Sequence, residues 1–88
     1  MSVGLAIQMI ALFSGKLEQA TAEAQDIQLR LEAAGKDDTP DKQDLRAQLA
    51  LLNYKMGLYK EFIDFWKQVI QTTLNLIKSL QELAQGAR

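Results

Sequence analysis

The sequence predicts an all-α fold: a two-helix antiparallel hairpin, coiled-coil-like, with a longer C-terminal helix, packing into an oligomer. Three observations carry that reading. Apolar residues recur at alternating steps of three and four along both halves of the chain, the spacing of helices packed along a seam. One interruption, Gly35-Lys36-Asp37-Asp38-Thr39-Pro40-Asp41, separates the halves. The second half also carries more apolar surface than the first half can cover. The expected organisation is one helical-hairpin domain over residues 1–88, with helix 1 over about 3–34, a loop at 35–39 and helix 2 over about 40–85.

In the first half, Val3, Ala6, Ile10, Phe13, Leu17, Ala20, Ala24, Ile27, Leu31 and Ala34 hold the three-four alternation without a break. Its middle is small (Ala20, Ala22, Ala24), which lets a neighbouring helix approach closely. Gly35 then stands where a helix C-terminus accepts a left-handed residue, a conformation with little cost for glycine alone. Thr39 offers a hydroxyl to an orphan amide, Pro40 fits a first helical position, and Asp41 and Asp44 complement the positive end of the helix dipole. A helix stop followed within a few residues by a helix start makes an antiparallel pair.

In the second half, Leu45, Leu49, Leu52, Met56, Tyr59, Ile63, Trp66, Ile70, Thr73, Ile77 and Leu80 repeat the alternation. A second apolar series lies beside it: Leu51, Leu58, Phe62, Phe65, Val69, Leu76 and Leu83. Together they span an arc of roughly 150° on a heptad wheel, wider than the ~100° stripe of an ordinary surface helix. The lengths also differ, roughly 48 Å against 69 Å at the helical rise. Folded back at the loop, helix 1 covers helix 2 only to around residue 72 by that length arithmetic. The expected assembly interface is therefore Val3, Leu5, Ile7, Met9, Ile10, Phe62, Phe65, Trp66, Val69, Ile70, Leu74, Leu76, Ile77, Leu80 and Leu83. Gly35, Thr39, Pro40 and Asp41 form the loop and cap. Gly15 and Gly57 fall inside the helices, where Gly15 could divide helix 1 and Gly57 could admit a bend.

Composition narrows the function. A chain of 88 residues has one small core, and such a scaffold usually needs disulfides, a metal or oligomerisation for stability. There is no Cys and no His, so disulfides, thiolate metal sites and imidazole chemistry are absent. The sequence predicts no cofactor, no metal site and no enzyme: Ser14 and Thr21 have no nearby base to activate them. Asp37, Asp38, Asp41 and Asp44 lack the alternating ligands, central Gly and terminal Glu of a calcium loop, and read as cap and loop.

Lys and Arg total 10 against 11 for Asp and Glu, without the basic excess of a nucleic-acid binder. Lys55, Lys60 and Lys67 interleave with Tyr54, Tyr59 and Trp66, but most of these aromatics fall on the apolar arc and the lysines on the polar one. That is a core stripe beside a solvated face. The apolar run Val3–Phe13 is too short for a membrane span. Interfacial helices favour Lys and Arg on their polar face, and residues 2–15 have none, so a protein contact is expected there in preference to a membrane. The expected partner is a further copy of the chain or another helical protein, and no nucleic acid.

The acidic, proline-containing turn Asp37-Asp38-Thr39-Pro40-Asp41, the Asn53-Tyr54 step and the apolar end Ile77-Lys78-Ser79-Leu80 resemble those of the small needle and inner-rod subunits of bacterial type III secretion systems. The resemblance covers Leu45 to Leu80 and the turn. It keeps one proline where the needle family's turn has two, and the first residues are more apolar than those of a needle subunit. It implies a hairpin that stacks into a hollow helical filament, and with it a secreted or cell-surface location. Polar Asn53, Lys60, Lys67, Asn75 and Lys78 would then face solvent or a channel. The same apolar face also suits a small helical chaperone or adaptor with a cognate protein, or a closed helical bundle; without the filament a cytoplasmic location is expected. Heptad spacing alone does not separate these.

Overall fold

The computed structural model describes residues 3–86 and consists of two helices, α1 (Val3–Ala33) and α2 (Pro40–Gly86). They fold back on each other into a rod with extents of 76 × 16 × 16 Å. At the helical rise, 31 and 47 residues correspond to roughly 46 and 70 Å. The two-helix, all-α hairpin expected from the spacing is the fold observed.

The turn forms as its residues dictate. Gly35 adopts φ +83°, the left-handed geometry that ends α1. The hydroxyl of Thr39 accepts a hydrogen bond from the Lys42 amide at 3.2 Å, and the Thr39 carbonyl accepts the first helical bond, from the Gln43 amide at 3.1 Å. Pro40 opens α2 with Asp41 in its first turn. Two further contacts tie the corner. The Lys42 ammonium donates to the Gly35 carbonyl, at the negative end of the α1 dipole, and its side chain is buried. Arg46 bridges to Asp38 at 2.8 Å. That bond, with one from Gln43, holds the Asp38 carboxyl below the usual carboxylate range.

The seam between the helices follows the heptad stripes. On α1, Ala6, Ala20, Ala24 and Ile27 are buried, while Val3, Ile10, Phe13, Leu17 and Leu31 are half-buried. On α2, Ile63 is buried and Leu45, Leu49, Leu52, Met56, Tyr59, Trp66, Ile70 and Thr73 are half-buried. Three details differ from the expectation. Ala34 lies past the end of α1 and is exposed, because the helix stops one residue sooner. Ala22 faces solvent, leaving Ala20 and Ala24 as the small residues of the close approach. Both helices run unbroken through Gly15 and Gly57.

The core is thin. The buried apolar residues among those described are Ala6, Ala20, Ala24, Ile27 and Ile63, and no large side chain is wholly enclosed. A chain that is 48% hydrophobic therefore leaves most of its large apolar side chains at least partly in water. Three of the four buried α1 residues are alanines, so the helices meet closely but bury little area per contact.

Candidate assembly surface

Three sets of apolar side chains lie outside the seam. The first is the end of α2. Thr73 is the last residue with partial cover, and every residue from Leu74 to Gly86 is exposed. Leu76 is 60% exposed, Leu80 56% and Leu83 69%. These values belong to side chains with none of the described residues of α1 beside them, because the described part of that helix starts at Val3. The heptad series runs on through Ile77 and Leu80 regardless, so the overhang continues a packing seam that has lost its partner.

The second set lies along the flank of α2. Phe62 and Phe65 are exposed and open onto a groove of about 550 Å³ lined by Met9, Phe13, Glu61, Phe62, Phe65 and Trp66. The Phe13 ring stacks on Tyr59 with centroids 6.2 Å apart and tilts against Phe62 at 4.9 Å. Phe65 meets Trp66 edge-on at 5.2 Å. These are ordinary aromatic separations. They fix the rings in place while leaving one side of the cluster open to water.

The third set is on α1, where Leu5, Ile7 and Leu12 point outward. Leu5 and Leu12 stand two turns apart and so share a face.

Among the residues expected at an interface, Leu5, Ile7, Phe62, Phe65, Leu74, Leu76, Ile77, Leu80 and Leu83 are exposed. Val3, Met9, Ile10, Trp66, Val69 and Ile70 are half-buried. Val3, Ile10, Trp66 and Ile70 occupy steps of the seam, so their outer edges alone remain for a neighbour. Leu12 and Leu29, both at least half exposed, were not among the expected residues. Each stands off the α1 heptad stripe, the pattern from which that helix is read. Asn53, Lys60, Lys67, Asn75 and Lys78 are exposed. Lys55 is exposed too, as is Tyr54, whereas Tyr59 and Trp66 lie against the seam.

Charge on this surface is sparse. Between Leu74 and Gly86 the charged residues are Lys78 and Glu82, one of each sign, so two overhangs brought together meet little repulsion. Among the described residues no group of three or more acidic side chains is placed to hold a metal ion. No helix among them is long and apolar enough to cross a membrane. The class the fold and surface define is an open two-helix hairpin with an unpaired apolar helix end. Comparison with protein-family models, curated proteins and solved structures returned no match.

Proposed function

We propose that this chain is a structural subunit that assembles with copies of itself, through its apolar helix faces, into a helical filament or rod. The observation that carries the reading is the overhang: from Leu74 to Gly86 α2 continues the heptad seam with none of the described residues of α1 against it. Docked on the next copy, Leu74, Leu76, Ile77, Leu80 and Leu83 gain cover, and the Val3–Ile10 segment meets a further neighbour. A head-to-tail contact of this kind propagates into a helix wherever its rotation does not close. The likeness of the turn and of the Asn53-Tyr54 and Ile77–Leu80 stretches to type III secretion needle and inner-rod subunits supports the same reading and would place the filament outside the cell. No catalytic role belongs to it.

The test replaces Ile77 and Leu80 together with Asp and compares sedimentation and negative-stain images with the wild type. Both side chains are exposed, so the hairpin itself tolerates the change. Filaments lost in the variant and present in the wild type are the expected result. Unchanged assembly removes the overhang from the mechanism.

A further inference from the structure

The flank of α2 has a property that the overhang lacks: its apolar residues are spaced to pair with themselves. Leu51, Leu58, Phe62, Phe65, Val69, Leu76 and Leu83 fall on one three-four alternation, with Lys55, Thr72 and Ser79 filling its remaining steps. Three shallow grooves follow one another along it. The first lies between Phe62 and Phe65 and the α1 residues Met9 and Phe13, the second takes in Phe65, Val69 and Thr72, and the third Ser79 and Leu83. This is a second knobs-into-holes seam, lying beside the one that α1 occupies.

Reversing the seam about the level of Lys67 maps it onto itself. Phe65 then faces Val69, and Phe62 faces Thr72, so each bulky ring meets a small residue. Leu58 faces Leu76, and Leu51 faces Leu83. A parallel in-register pairing would instead stack Phe on Phe and Ser on Ser, giving layers too wide and too narrow by turns. Interiors pack to a uniform density, so the reversed pairing is the one the side chains fill evenly.

The flanking residues agree. On the side away from α1, the residues just outside the seam pair across the same axis with a two-residue offset from the core layers, which sets Glu61 beside Asn75 and Tyr54 beside Glu82, with Gln68 beside its own copy. No like charges meet, and the Tyr54 hydroxyl can donate to the Glu82 carboxylate. Lys55, the one charged residue on a seam step, falls opposite Ser79, which leaves room for its stem to reach solvent.

We infer that the flank of α2 binds a second copy of this chain, antiparallel, with a two-fold axis near Lys67 and Gln68, to give a four-helix unit. The inference rests on the self-assembly reading and names its first step. The closed pair covers Phe62, Phe65, Leu76 and Leu83 and leaves Leu74, Ile77 and the outward leucines of α1 to join one pair to the next. A two-fold contact is self-complementary by construction, and that is what the reversed match of side chains provides.

The chain has no cysteine, so single cysteines report its geometry directly. Gln68→Cys, on an exposed site, is expected to convert largely to a disulfide-linked dimer under mild oxidation. Glu82→Cys alone is expected to stay uncrosslinked, because its two copies lie about 45 Å apart along the axis at the helical rise. Mixed with Tyr54→Cys it is expected to form the heterodimer. If Gln68→Cys stays reduced while sedimentation still finds assembled species, this geometry is overturned and self-assembly stands. Crosslinking of Glu82→Cys to itself makes the pairing parallel and overturns the inference likewise. A monomer at every concentration overturns both readings.

Discussion

The rings of Phe13 and Phe62 lie 4.9 Å apart, one from each helix, and Phe62 remains 42% exposed. Phe62 thus closes the hairpin with one side and faces water with the other. The position joins two tasks: holding α1 to α2, and presenting an apolar flank to whatever comes next. Phe13 serves chiefly the first, contributing one wall of the groove beside Phe62.

Phe13→Ala therefore weakens the hairpin itself. Full burial of a Phe makes such a truncation cost about 3–5 kcal/mol, and a half-buried ring with two aromatic neighbours is expected to cost about 2–3 kcal/mol. Leu76→Ala removes an exposed side chain and is expected to leave stability within about 0.5 kcal/mol at low protein concentration, while reducing self-association. Urea unfolding of dilute protein, paired with sedimentation, separates the two effects. Equal stability losses in both variants would contradict the division.

The corner supplies a second case. Lys42 is buried and donates to the carbonyl of Gly35, placing a cation at the end of α1 where the dipole is negative. Lys42→Met keeps the apolar stem and removes the charge. It is expected to lower stability by about 1 kcal/mol, read by urea unfolding; a neutral result would mean that the contact adds nothing.

Asp38 makes a pH-dependent contribution. Its carboxyl is held low by the hydrogen bond from Arg46, so it binds protons more weakly in the folded chain than in the unfolded one. A depressed carboxylate stabilises above its unfolded value, about 3.9, and that contribution disappears as pH falls through the folded value. Wild type and Asp38→Asn are expected to differ slightly in Tm at neutral pH, with the wild type higher, and to converge under strong acid. The difference stays small because both partners are solvent-exposed. A gap that persists or widens in strong acid would refute the assignment.

Two glycines are expected to respond with opposite signs. Gly57 sits inside α2 with open space where a Cβ would project, so Gly57→Ala is expected to add roughly 0.5–1 kcal/mol. Gly35 also has open space, yet its φ of +83° disfavours any side chain, so Gly35→Ala is expected to cost about 1 kcal/mol. Thermal melts of both variants at one concentration decide it. A stabilising Gly35→Ala would show that the turn relaxes out of the left-handed form.

Much of this architecture is legible in the sequence because it is local or periodic. The stop at Gly35 and the start at Thr39-Pro40 are written in residue types with backbone preferences, and the stripes from Val3 to Leu31 and from Leu45 to Thr73 recur at fixed steps. The unpartnered end of α2 follows from counting residues on either side of the turn. What was not legible depends on three-dimensional reach. Lys42 reads as a surface lysine until the turn swings it over Gly35, and the Arg46–Asp38 bridge spans the loop by a path no spacing rule contains. Ala22 and Ala24 are alike in composition, and only the rotation of α1 against its partner decides which one is buried.

This hairpin exposes more apolar surface than it can hide, and the cover proposed for it is further copies of itself. Light scattering coupled to size exclusion, run on the wild-type chain over a hundredfold range of concentration, tests it most directly. The expected result is a mass that rises with concentration from small species to large assemblies. A single mass of 9.9 kDa across the whole range, from a well-folded chain, would contradict it.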